Sequence, residues 1–369
     1  MSIASLMSAT KASRNSPVKT KALLFIFLVL MTIGKTISVW GAQAVSFQSV
    51  LEAAKKDGEL NVWSNTPEEE TMPKILEAFN KRFGMRIKVN QVPMGSRDFT
   101  TRVLAGAQAG RVEVDIGQGA TDINFILDEN NQLEDFDWVR VFGQAFPEIR
   151  RRVERVIPAF RGKVLDYWHL AYCVIYRTDR IKEADVPRTW EGLADPKWRG
   201  QLVLNQEGSP FHHIAPFWGM DRALDLVRKL KANQPIFARG SRGTAVAVES
   251  GEASIGITTI GQAEFRRQKG VPVDWLTPSE IPIEIEHLII PKGTPHPNLA
   301  RLWAAWITTE GRPLFENLTL NGLAWPEEDS LLARRLKQYG TKYRFIETRE
   351  QSKMTVDAQK KLAETILGK

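Results

Sequence analysis

The sequence predicts an α/β protein whose sheets are largely parallel. Short apolar strands alternate with helix-length amphipathic segments along most of the chain. Several of those strands run directly into helix-start signals, as expected where strand and helix follow one another. The 43% apolar content of the 369-residue chain supplies enough hydrophobic surface for two full-sized cores.

Residues 1–44 read as an export signal. Lys11, Arg14, Lys19 and Lys21 precede an apolar run at 22–33, and Ala42-Gln43-Ala44 forms an A-x-A-like cleavage site. That run has 12 residues, short of the roughly 20 that a membrane-spanning helix needs. Removal after Ala44 is therefore expected, with retention as an uncleaved anchor as the alternative. The segment contains five of the 50 Lys and Arg residues and no Asp or Glu. Residues 45–369 carry 45 basic and 43 acidic side chains, so a formal charge of +7 falls to +2. So small a surplus argues against nucleic-acid binding. Cys173 is the only cysteine and lies in an apolar run, which excludes an intrachain disulfide or a cysteine metal cluster. The signal ends without a cysteine for lipid attachment, so a free periplasmic protein is expected.

The clearest unit begins with a strand at 59–63, followed by the turn Ser64-Asn65-Thr66. Thr66 reads as an N-cap, Pro67 as the first helical residue and Glu69 as the completion of a capping box. Met72, Ile75, Leu76, Phe79 and Phe83 recur on one helical face. Gly84 stops that helix, and Pro73 is expected to kink it. Next come a strand at 85–89, a helix at 97–109 and a strand at 112–116. The turn Gly117-Gln118-Gly119-Ala120-Thr121 then opens another helix, with Asp115 and Asp122 close by as a carboxylate pair. Residues 163–176 are nearly all apolar, long enough to cross between two domains. Further strands are expected at 201–204, 253–258, 271–276 and 284–290, with helices at 244–249, 262–269, 297–308 and 356–367. Ser209-Pro210 supplies another cap and proline start.

Six segments, in this order, resemble the extracytoplasmic solute-binding proteins of ATP-driven importers: ELNVWSN with EAFNKRFG, VEVDIGQG, RTWEGLADPKWRGQLVL, VESGEASIGI and IIPKGTPHPNLARLWAAWITTEG. The similarity is to the type II branch that includes ferric-iron, phosphonate and polyamine binders, and it extends over roughly residues 58–320. It implies a two-lobed type II periplasmic-binding-protein fold with hinge strands and an interlobe cleft. Lobe 1 would comprise 45–168 plus 283–322, and lobe 2 would comprise 169–282 plus 323–369. A third crossing is implied near 319–325, with the C-terminal tail on the second lobe. The implied role is a monomeric receptor that hands a small solute to a membrane ABC permease, without a cofactor.

Three polar turns at helix starts are candidates for the cleft, because free N–H groups and the helix dipole favour anions there. They are Ser64, Asn65 and Thr66; Gln118, Gly119 and Thr121; and Gly208, Ser209 and His212. Arg97, Arg239 and Arg242 are candidate carboxylate or phosphate contacts. Among aromatics, Trp63, Tyr172 and Phe211 are candidates for stacking on an organic ligand. Ferric-binding relatives use adjacent tyrosines where this chain has Thr258, Thr259, Ile260 and Gly261, which speaks against iron and leaves Thr258, Thr259 and Gln262 as neutral donors. His212-His213 and Glu284, Glu286, His287 match no standard metal spacing. An anionic organic solute is the expectation, while Glu284 and Glu286 equally suit an amine. Iron or polyamine binding on the same fold and an exported hydrolase are the alternatives. No G-x-S-x-G, H-E-x-x-H or P-loop signature is present, so an enzyme is not expected.

Overall fold

The computed structural model describes residues 45–367; the expected export signal and cleavage site lie outside them. No described helix is long and apolar enough to cross a membrane.

Helix α1 (Phe47–Asp57) leads into β1 (Glu59–Trp63), α2 (Met72–Phe83), β2 (Lys88–Val92), α3 (Ser96–Gln108), β3 (Ile116–Gly119) and α4 (Thr121–Glu129). Strand β1 pairs in parallel with both β2 and β3. Two short helices, α5 (Trp138–Phe142) and α6 (Ile149–Glu154), precede the 14-residue strand β4 (Val164–Arg177). The second half contains β5 (Leu202–Asn205), α7 (Phe211–Trp218), α8 (Met220–Ala232), β6 (Ile236–Ala238), α9 (Gly240–Glu249), β7 (Ile255–Thr259), α10 (Ile260–Gln268) and β8 (Val273–Leu276). Strand β9 (Glu280–Ile289) leads to α11 (Pro297–Ile307) and α12 (Arg312–Thr319). The chain then completes α13 (Leu331–Tyr339), β10 (Lys342–Phe345) and α14 (Arg349–Leu367).

One strand path runs β2-β1-β3-β9-β4-β7-β5-β6. Strands β4 and β9 join its two halves. The first half of β4 pairs antiparallel with β9 from Val164↔Ile289 to Ala171↔Ile283, and its second half pairs with β7 and β8. Each lobe has its own core, as an α/β layer fold requires. One packs Phe79 against Trp303 and Trp306; the other buries Trp190, Trp275 and Val203. Cys173 is a buried free thiol in the second core. Residues 320–325 make a third passage against β4, where the His169 N–H donates to the Gly322 carbonyl at 3.0 Å.

Several local expectations fail for identifiable reasons. The Thr66–Pro67 bond is cis, and α2 starts at Met72 behind Thr71. Thr66 is therefore no cap and Pro67 opens no helix. Pro73 lies in the first helical turn, where its missing N–H has no intrahelical acceptor to serve, so it causes no kink. The glycines at 117 and 119 read as a turn but belong to β3. A Cβ on Gly117 would lie 2.3 Å from the Phe99 ring, and one on Gly119 would lie 2.8 Å from Ile123. These glycines permit close packing of strand against helix, and the strand shifts downstream to include them.

Candidate functional site

The best-supported site is a cavity of about 420 Å³ between the lobes. Glu284 and Glu286 reach it from β9, because residues two apart on a strand share a face. Asp122 enters from the first turn of α4, where the helix dipole tolerates an acid. Tyr172 comes from β4, while Glu207, His212 and His213 come from the end of β5 and the start of α7. Arg97 and Asp98 project from α3. Helix α14 contributes Thr355, Val356 and Gln359 as the remaining wall. Five carboxyl groups thus face one guanidinium and two imidazoles.

The electrostatics divide these acids into satisfied and unsatisfied groups. His213 Nε2 lies 3.4 Å from Glu284 Oε1. Burial opposes protonation of His213, but the Glu284 charge outweighs it and raises the imidazole pKa. Burial likewise works against the Glu284 carboxylate, yet the same pair keeps its pKa below the ordinary value. Glu286 has no such partner. Its Oε2 is buried without a hydrogen bond, and burial followed by the charges of Glu284 and Asp122 drives its pKa well up. Asp122 is pushed up to about 6 by burial and then by Glu284. His212 is held neutral by burial and by the neighbouring His213; its ring hydrogen-bonds the Gly208 carbonyl while Nδ1 lacks a partner. Ser209 lies behind the cavity, within hydrogen-bonding reach of the Tyr172 hydroxyl.

The remaining sequence candidates are dispersed. Ser64 is buried, with its hydroxyl 2.7 Å from the Thr66 carbonyl and 2.8 Å from Gln118 Oε1. Gln118 also lies 3.5 Å from Trp168 Nε1. These two side chains support the loop after β1. Gly119 is packed against Ile123 and Ile289, and Thr121 is buried at the start of α4. Thr258 donates to the Ser241 carbonyl at 2.7 Å, which commits its hydroxyl to the fold. Phe211 packs edge-on against Trp190 in the second core, so it is unavailable for stacking on a ligand. Trp63 packs on the first lobe beneath Arg102.

Asn65, Thr66 and Arg242 belong to a separate cavity of about 640 Å³, with Thr259 and Gln262. There Arg242 Nη2 is 2.6 Å from Glu68 Oε1, an exposed ion pair between segments of the two lobes. His287 leaves the strand opposite to Glu286, and its Nδ1 lies 2.8 Å from Asn124 Nδ2. Asp115 does not pair with Asp122; it anchors Asn61, Thr294 and His296. Among the described residues, no three His, Cys, Asp or Glu side chains converge as a metal-binding group.

Sequence reasoning did not place Asp122, Glu207 and His213 in the cavity wall, and although it expected a helix at 356–367 it gave that helix no part in the cleft. The Glu-x-Glu spacing at 284 and 286 was a usable signal, because a strand places both on one face. Nothing local to 355–359 marks those residues as part of a cleft.

Comparison with known proteins identifies the family and the fold. The family model for bacterial extracellular solute-binding proteins matches residues 63–311. A Haemophilus influenzae protein described as uncharacterized is 21% identical over 275 residues, covering 70% of this chain and 74% of its own. Iron-bound HitA from Pseudomonas aeruginosa superposes with a TM-score of 0.64 at 15% identity, covering 82% of this chain and 99% of HitA. The spermidine/putrescine substrate-binding protein PotD from Streptococcus pneumoniae gives 0.60 at 14% identity, covering 84% and 99% respectively. At such identities these structures establish the two-lobed fold and nothing finer. The chain belongs to the bacterial extracellular solute-binding protein family, the small-molecule receptors of ABC importers.

Proposed function

We propose that this chain captures a solute bearing a protonated amine in the acidic interlobe cavity and delivers it to an ABC permease. The observation that carries this reading is Glu286: buried, without a partner for Oε2, and beside Asp122 and Glu284. An unpaired buried carboxyl group is costly. An ammonium group supplies both the missing hydrogen-bond donor and the missing charge. Tyr172 and His212 complete the polar wall, with Arg97 at its rim.

The anionic solute expected from the helix starts has weaker support. Arg242 is engaged with Glu68, and Arg266 Nε lies 2.9 Å from Glu249, so these two cations of the separate cavity are already neutralised. Ferric iron would find threonine, isoleucine and glycine where its relatives present phenolates. In this account the chain is exported by its signal segment and works as a periplasmic monomer, with lobes 45–168 plus 283–322 and 169–282 plus 323–369. Closure of these lobes about β4 and β9 traps the solute. Mass spectrometry of the molecule co-purifying with natively exported protein tests the reading. An amine is the expected finding; an anion without an amino group would overturn it.

A further inference from the structure

We propose that the solute carries an apolar extension beside its ammonium group, and that α14 supplies one wall of the chamber receiving it. This rests on the amine reading and adds the shape of the ligand. A second cavity of about 690 Å³ shares Arg97, Asp122, Ile123, Glu207, Val356 and Gln359 with the acidic one, and Leu104, Ile126 and Ala363 line it alone. Its character is different. Leu104 from α3, Ile123 and Ile126 from α4, and Val356 and Ala363 from α14 line it. Ile126 is 39% exposed and Val356 is 43% exposed, and both border this one space. Single exposed apolar side chains are commonplace. Here they come from separate helices and meet beside a carboxyl cluster containing an unpartnered Glu286 oxygen.

Helix α14 is tied to the first lobe by two contacts. Arg97 hydrogen-bonds Gln359, and Arg349 pairs with Glu129. The helix also packs on α7 and α8 of the second lobe. It therefore spans the region where the two chambers meet, and a ligand anchored at Glu286 extends beneath it. The occupant that suits these walls has a cationic head and a short alkyl or aryl tail.

Calorimetric titration of the exported chain with a series of linear alkylamines, from methylamine to hexylamine, tests this. Affinity is expected to rise by roughly fourfold for each methylene buried. Leu104→Ser and Ile126→Ser, which alter only the second cavity, each checked for an unchanged melting transition, should flatten that slope while leaving methylamine binding intact. A flat series in the unsubstituted chain, or a slope that survives both substitutions, would overturn the tail chamber and leave the amine site standing. Failure of every amine to bind would overturn both.

Discussion

Two buried carboxyl groups on the crossing strands have opposite fates. The Asp166 carboxylate on β4 is bonded by His169 Nε2 at 3.1 Å and Trp325 Nε1 at 2.7 Å, and it faces the charge of Arg312, whose guanidinium bonds the Asp166 and Tyr167 backbone carbonyls. Burial alone would raise its pKa, but these partners hold it far below the ordinary carboxylate range. Glu286 on β9 lies in register with Trp168, beside that network, yet it retains an unbonded oxygen and a strongly raised pKa. A buried acid whose partners belong to the chain stabilises the hinge region. One whose partner is missing costs stability and is suited to binding.

The largest expected effect comes from breaking the satisfied network. Asp166→Ala leaves His169 and Trp325 without their shared acceptor, removes the charge facing Arg312, and should cost about 3–5 kcal/mol in chemical denaturation. Amine selectivity should be unaffected in whatever fraction remains folded. Glu286→Gln should do the reverse. Amine affinity should fall by about 10- to 100-fold, the loss of one charge-assisted hydrogen bond, while the denaturation midpoint stays level or rises.

Titration sharpens the contrast further. The folded-state pKa of Asp122 is raised to about 6, so the folded chain holds a proton that the unfolded chain releases near pH 4. Stability from this group is present below pH 4 and declines as pH rises through 6. Asp166 has the opposite sign: its contribution is present above pH 4 and is lost as pH falls below that value. Asp122→Asn should therefore stabilise the unliganded protein by roughly 1–2 kcal/mol at pH 8 and by little at pH 4, readable from melting curves at both values. Amine affinity should strengthen between pH 5 and 7 as Asp122 ionises. The smallest effect is expected at the exposed Arg242–Glu68 pair. Arg242→Ala should weaken solute binding by no more than about fivefold, because exposed ion pairs contribute about 0.2–1 kcal/mol.

Much of the fold was legible because hydrophobic periodicity records it. The apolar stretch at 163–176 became β4, and the alternation near 284–290 marked the end of β9. Local punctuation misled where tertiary packing took precedence. Helix α2 begins at Met72 and not at Pro67, and the glycines beside Gln118 admit Phe99 and Ile123 instead of forming a turn. The site was only partly legible. Tyr172, His212, Arg97 and Glu286 converge, with Ser209 behind Tyr172, whereas Ser64, Gln118 and Thr258 serve internal hydrogen bonds. Helix N-termini suggested an anion because the dipole is visible in sequence. The sign of the cavity is set by Asp122, Glu207, Glu284 and Glu286, which come from distant segments. Gln359 and Val356 join them only through the path of the C-terminal helix.

The central claim is that Glu286 receives a ligand ammonium group. Calorimetric titration with paired solutes of equal size, one ending in an amine and one in a carboxylate, tests it on the unsubstituted chain and on Glu286→Gln. The account predicts that the amine alone binds and that the substitution weakens it at least tenfold. Preferential binding of the carboxylate, or amine affinity unchanged in Glu286→Gln, would contradict it.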